Sequence, residues 1–240
     1  MPAPDNSSSQ ILVSHAVLTG LTPLIPVPLV DDLFLSYFMR SMVRKLAAHH
    51  GKQLSSSEIE TLVSQPGRGC ALGCIGTVLL YPIKKIFRKI FFFLEWKRAA
   101  DTISRTYYVG YLLDTALSGG KLGAANSDAA RVRTAMDTVL LRTNTSLINR
   151  AALEVVGQSK GLLTGLVQLL LRNLPGGKPS EKDIRSVVDA VEAEEKDKLR
   201  GLVDQFQKAL STLPAQHLQQ LRQEFAQEMA RPAQPSSSTP

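Results

Sequence analysis

The chain has 240 residues, enough for one large helical domain or two small ones, and is 44% hydrophobic and 20% charged, which is too apolar for a disordered protein. A formal net charge of +7 favours anionic partners such as phospholipid headgroups or nucleic acid and does not choose between them. Two cysteines, Cys70 and Cys74, exclude a disulfide framework, and the default compartment is a reducing cytoplasm.

Residues 1–10 are polar and carry no Lys or Arg, so they lack the basic start of a secretory signal and are expected to be disordered. From Ile11 to Val30 no residue is charged. That length suffices on paper for a membrane span, but Pro23, Pro26 and Pro28 break the helical ladder, so the pattern predicts a short helix over Ile11–Gly20 and an extended connector. Asp31 and Asp32 then sit where an N-cap and a first-turn acid belong. The helix they start runs to about His50, and Gly51 is placed to take the left-handed conformation that ends it, with His49 and His50 in the last turn. Ser55 and Glu58 have capping-box spacing for a short helix through Val63.

Gly69, Gly73 and Gly76 interrupt an apolar helix expected from Cys70 to Tyr81, and Gly69 with Gly73 forms a small-xxx-small pair that lets another helix approach closely. After Pro82 the chain reads IKKIFRKIFFFLEWKR. At ~100° per residue, Lys84, Lys85, Arg88 and Lys89 fall within about 140° of arc, while Ile83, Ile86, Phe87, Ile90, Phe93 and Leu94 gather opposite them. A cationic face backed by an apolar one is the pattern of a helix lying in a membrane interface, its rings entering the headgroup boundary and its cations meeting lipid phosphate. A complete span is disfavoured, because four cations near its end would have to snorkel. The alternative reading is a buried core helix with a solvated basic edge.

The helix is expected to continue to Gly119 and Gly120. Ser127 is the candidate cap for a helix to about Arg142, and Thr143–Ser146 supply caps for another reaching Leu174. Gly157, Gly161 and Gly165 lie four apart on one face of that helix, which predicts a tight helix contact or a weak helix there. Past Pro175, Ser180 caps a charged helix expected from Glu181 to Leu213 with a narrow apolar stripe. Pro214 ends it, and an amphipathic helix over Ala215–Ala230 is expected to fold back on its predecessor as a hairpin. Residues 231–240 read as a disordered tail. No alternating β-branched runs support strands, so the expected fold is an all-α bundle, with a membrane-facing region over 11–120 and a soluble helical region over 121–230.

The residues GLTPLIPVPLVDD followed by LFLSYFMRSMVRKLAAHHGKQLSSSEIETLV resemble the bacterial YcjF-like family of unknown function, often associated with GTPases. In that family a Pro-rich turn and an acidic cap lead into an apolar helix ending in Gly, and a glycine-rich apolar helix follows a capped short one. The resemblance covers about 20–120, and a weaker similarity to EcsC-like proteins spans Arg131 to Leu171. The chain departs from the family pattern in carrying a heavier basic cluster and no GTPase motif of its own. The resemblance implies an uncharacterised, membrane-associated bacterial helical protein, placed at the inner face of the membrane, and transfers no catalytic residue.

No phosphate-gripping loop, dinucleotide motif or Ser/His/Asp constellation stands out, and neighbouring Asp31 and Asp32 point about 100° apart on a helix, so no enzyme activity is expected. His15, His49, His50 and His217 do not stand at ligand spacing from Cys70 and Cys74, and neither a metal nor a cofactor is expected. Nucleic acid is disfavoured because the cations share their helix with Phe91, Phe92 and Phe93 rather than with base-reading polar side chains. The expected partners are an anionic membrane surface and a protein held by the C-terminal helices. The alternative is a soluble helical scaffold in which the same apolar residues form a core.

Overall fold

A computed structural model of the chain describes residues 6–27, 30–64, 88–123, 128–175 and 179–231; for Asn6 and for 88–93 only the backbone is described. Among these residues there are ten α-helices, one short 3-10 helix and no strand, an all-α bundle. The helices are α1 (Asn6–Gly20), α2 (Val30–His49), α3 (Ser56–Val63), α4 (Arg88–Ser118), α5 (Ala129–Arg142), α6 (Ser146–Gln158), α7 (Lys160–Arg172), α8 (Glu181–Glu194), α9 (Lys196–Ser211) and α10 (Ala215–Ala230), with the 3-10 turn at Thr22–Leu24.

The uncharged N-terminal stretch is core rather than membrane span. In α1, residues from Leu12 to Leu18 are buried on nearly every side, save the half-buried Ser14, as befits a helix that is apolar round most of its circumference. Its chief neighbour is α4, and α2 and α9 close over its remaining sides. Two glycines permit this approach. A Cβ on Gly20 would collide with Ile103, and one on Gly110 would lie 2.5 Å from Leu12 Cδ2 and 3.0 Å from Met42 Sδ. Pairing Leu12 with Gly110 and Gly20 with Ile103 makes α1 and α4 antiparallel, whereas α2 runs alongside α4 in the same direction.

α4 also packs on α5, α6 and α10, so a single core cluster extends from Leu12 in α1 to Phe225 in α10. Residues before and after Gly120 share that core.

Caps written into the sequence form as short-range chemistry dictates. The Ser55 hydroxyl accepts from the Glu58 N–H at 3.2 Å while the Glu58 carboxylate accepts from the Ser55 N–H at 2.8 Å, and Ser180 with Asp183 repeats the arrangement at the start of α8. Gly51 takes φ +63° past α2, with the Lys52 N–H donating to Ala47 O at 2.8 Å. The cap of α5 is Asp128, which accepts from the Arg131 N–H at 2.9 Å; Ser127 lies outside the described residues.

Four expectations are corrected. The first helix starts at Asn6 and not at Ile11, so residues 6–10, expected to be disordered, are helical, with Ser8 buried. The helix expected to reach Leu174 is two, broken at Ser159, whose side chain is buried and whose hydroxyl donates to Gln205 of α9 at 3.1 Å. Glycines on both sides weaken the ladder there, so a tertiary bond can bend it. The charged helix from Glu181 is likewise two, broken at Glu195, with φ −116° and ψ 26°. Finally, α10 docks mainly on α5 and α4 instead of on its predecessor.

Candidate functional site

The segment to which the charge pattern points joins the bundle at the start of α4. Ile83, Lys84, Lys85 and Phe87 lie outside the described residues, as do Gly69, Cys70, Gly73, Cys74 and the rest of the expected helix to Tyr81. Arg88, Lys89, Ile90 and Phe93 belong to the first turns of α4, where the backbone alone is described. From Leu94 onward the side chains are placed, and the helix has two distinct faces. Leu94 is 46% exposed, and Lys97 and Arg98 are exposed after it, whereas Trp96 is 4% exposed and Ala99, Ala100 and Ile103 continue its buried stripe. Leu94, Arg98, Asp101 and Arg105 recur at three or four residues and make up the outer stripe.

Beside that outer stripe lies a cleft of about 190 Å³ between the start of α2, the 3-10 turn and α4, with Asp31, Asp32, Arg98, Asp101 and Arg105 among its walls. Asp31 and Asp32 both lie in the first turn of α2, which begins at Val30, so Asp31 is a first-turn acid and not the N-cap expected there. Burial, with the neighbouring Asp32 carboxylate, raises the Asp31 pKa above the usual carboxylate value. Asp101 accepts a hydrogen bond from Asn149 of α6. Among the described residues no three His, Cys, Asp or Glu side chains are grouped to hold a metal ion, and no helix is long and apolar enough to cross a membrane.

Among the described residues, Gly157, Gly161 and Gly165 mediate no close helix contact. All three are exposed, and a Cβ on any of them would meet nothing within 4 Å. The glycines that do allow close approach, Gly20 and Gly110, were not singled out, because one residue per helix leaves no periodic signal.

Polar groups inside the bundle also escaped the sequence reading. His15 is 3% exposed; its Nδ1–H donates to Ile11 O at 2.8 Å, which leaves the Nε2 lone pair to accept the Ser41 hydroxyl at 3.2 Å. Burial, reinforced by the nearby Lys45 charge, lowers its pKa to about 4, so it is neutral at pH 7. His50 Nε2 donates to the buried Asp114 carboxylate at 2.8 Å, tying the end of α2 to α4. Tyr108 stands 2.7 Å from His217 Nε2, and Tyr111 donates to Leu218 O at 3.2 Å, so α4 holds the start of α10 through two phenols. Burial drives the Tyr108 pKa up to about 12. Apart from Ile11, each of these partners is distant in sequence, which is why local patterning did not pair them. Comparison of the chain with family models, with curated proteins and with solved structures finds no match.

Proposed function

We propose that the protein is a non-enzymatic, membrane-associated helical protein, of the YcjF-like kind its motifs resemble, that binds anionic lipid through residues 83–94 at the inner face of a bacterial membrane. Lys84, Lys85, Arg88 and Lys89 supply attraction to lipid phosphate, and Ile83, Phe87, Ile90, Phe93 and Leu94 supply apolar insertion. The C-terminal helices hold a protein partner.

The observation that carries this reading is the exposure of Leu94 on the side of α4 away from Trp96. Ile90, Phe87 and Ile83 precede Leu94 by four, seven and eleven residues, the intervals at which one face of an α-helix recurs. Lys89, Arg88 and Lys85 precede the buried Trp96 by seven, eight and eleven. In helical spacing, then, Ile83, Phe87 and Ile90 fall in line with the outer stripe of α4 and Lys85, Arg88 and Lys89 with its inner one, while Phe93, three residues before Trp96, falls toward the inner stripe. A helix built to extend the core would show the opposite register. The end of the bundle that bears this face is also the end where α1 stops at Gly20 and α2 begins.

Sedimentation with vesicles rich in phosphatidylglycerol tests the reading. Wild type pellets with the vesicles; changing the four cations to Ser reduces the bound fraction, and changing Phe87, Ile90 and Phe93 to Gln abolishes it. Equal pelleting of wild type and both variants refutes it. Raising salt to ~0.2 M separates this from purely ionic attachment to nucleic acid, which fades with salt while apolar insertion survives. The competing reading, in which 83–94 closes onto the core of a soluble scaffold, requires the Phe variant to unfold rather than to lose lipid.

A further inference from the structure

Among the described residues the exposed large hydrophobic side chains are Val27, Leu94, Leu141 and Leu153. Two of them stand at one end of the bundle. Asp31 and Arg98 line a single cleft, Met42 is the neighbour that a Cβ on Gly110 would meet, and His50 bonds Asp114, so α2 and α4 advance side by side in the same direction. Val27 precedes Asp31 by four residues and Leu94 precedes Arg98 by four. Both therefore lie at the end where the 83–94 segment joins, Val27 at 40% exposure and Leu94 at 46%.

The connector from α1 to α2 that carries Val27 has the chemistry of a segment that can leave water. No residue from Ile11 to Val30 is charged, and Pro26 and Val27 are both exposed. What keeps irregular backbone out of lipid is mainly the cost of unpaired polar groups. Here the donors are engaged or missing. The N–H groups of Leu21, Leu24 and Ile25 donate to Leu18 O, Leu21 O and Thr22 O, each at 3.1 Å, and Pro23 and Pro26 have no N–H to satisfy. The cleft behind the connector holds Asp31, Asp32 and Asp101 against Arg98 and Arg105, so it has no cationic surplus of its own.

We propose that the α1–α2 connector is a second membrane-inserting element, with Pro26 and Val27 entering the headgroup boundary beside the 83–94 face; the inference rests on the membrane reading above. The cations of 83–94 supply the attraction to anionic lipid, and the connector adds apolar area alone. Its contribution is accordingly insensitive to salt.

In a C70S/C74S background, Val27→Cys carries a nitrobenzoxadiazole label, and Lys121→Cys, at an exposed position past the far end of α4, carries the control. On vesicles rich in phosphatidylglycerol the label at 27 shifts to the blue and is quenched by lipids brominated along their acyl chains, while the label at 121 does neither. Val27→Asn, a neutral change at an exposed site, weakens partitioning onto the same vesicles about tenfold at low and high salt alike, the loss that follows from withholding one valine side chain from lipid. Circular dichroism establishes that the variant keeps its helix content; should it not, the label at 27 decides. Protein that pellets with a label at Phe87→Cys quenched and the label at 27 unquenched overturns this proposal and leaves the membrane reading standing. Folded Val27→Asn that binds as wild type overturns it too, and protein that does not pellet overturns both. A blue shift at 27 without vesicles, at the same protein concentration, shows a second copy covering the connector and likewise overturns it.

Discussion

Arg133 fastens α3 to the bundle, and its removal has a cost that follows from its contacts. The side chain is 8% exposed; Nε and Nη2 form a two-pronged pair with Asp137 at 2.9 and 2.6 Å, and Nη1 donates to Leu62 O at 2.8 Å. Leu62 stands in the last turn of α3, where carbonyls have no partner within the helix. Arg133→Met preserves the apolar stem and deletes three charge-assisted bonds. The bond to the Leu62 carbonyl contributes about 1.5–3 kcal/mol. The pair with Asp137 adds less than its geometry suggests, because that carboxylate is 22% exposed and water replaces the guanidinium, leaving under ~1 kcal/mol. The expected loss is therefore about 3 kcal/mol, read as a lower urea midpoint with unchanged slope. Asp137→Asn, which leaves the Leu62 bond in place, costs about 1 kcal/mol. If Arg133→Met changes stability by less than ~0.5 kcal/mol, or if Asp137→Asn costs more than Arg133→Met, the inference that the guanidinium acts mainly as the cap of α3 is wrong.

Acid sensitivity is expected from His15. Its folded pKa of about 4 lies below the ordinary histidine value of 6.5, so the unfolded chain binds the proton first. Its contribution is fully present above pH 6.5 and is lost as pH falls toward 4, by about 3 kcal/mol in all; His15→Gln flattens that part of a stability-against-pH curve, and an unchanged slope contradicts the assignment. Gly161→Ala and Gly165→Ala each raise stability by ~0.5–1 kcal/mol in thermal melts, since helix propensity improves and the new methyl meets open space. A loss at either position would reveal a close neighbour beyond the described residues. Gly20→Ala goes the other way, by about 1–3 kcal/mol, because its Cβ meets Ile103.

Short-range features of this fold were legible and long-range ones were not. The box at Ser55–Glu58, the cap at Ser180 and the left-handed Gly51 depend on residues a few positions apart, so spacing alone identified them. The breaks at Ser159 and Glu195 lie in stretches whose apolar period runs on unbroken, and the bend at Ser159 is accompanied by a bond to Gln205 that no window of sequence contains. Likewise Leu221 and Phe225 of α10 announce an apolar face but not its partner; the phenols of Tyr108 and Tyr111 direct it to α4. At the candidate lipid site, period separated the faces of 83–94 in sequence, while their orientation needed Leu94 and Trp96 as reference points, because amphipathicity is the same whether an apolar face meets a core or a bilayer.

The most direct measurement places an environment-sensitive probe on that face. In a C70S/C74S background, Phe87→Cys carries a nitrobenzoxadiazole label, and Leu141→Cys, a position 88% exposed on α5, carries the control. On addition of phosphatidylglycerol vesicles the label at position 87 shifts to the blue and is quenched by lipids brominated along their acyl chains, while the label at 141 does neither. A label at 87 that stays unquenched while the protein pellets with the vesicles would contradict insertion of the 83–94 face.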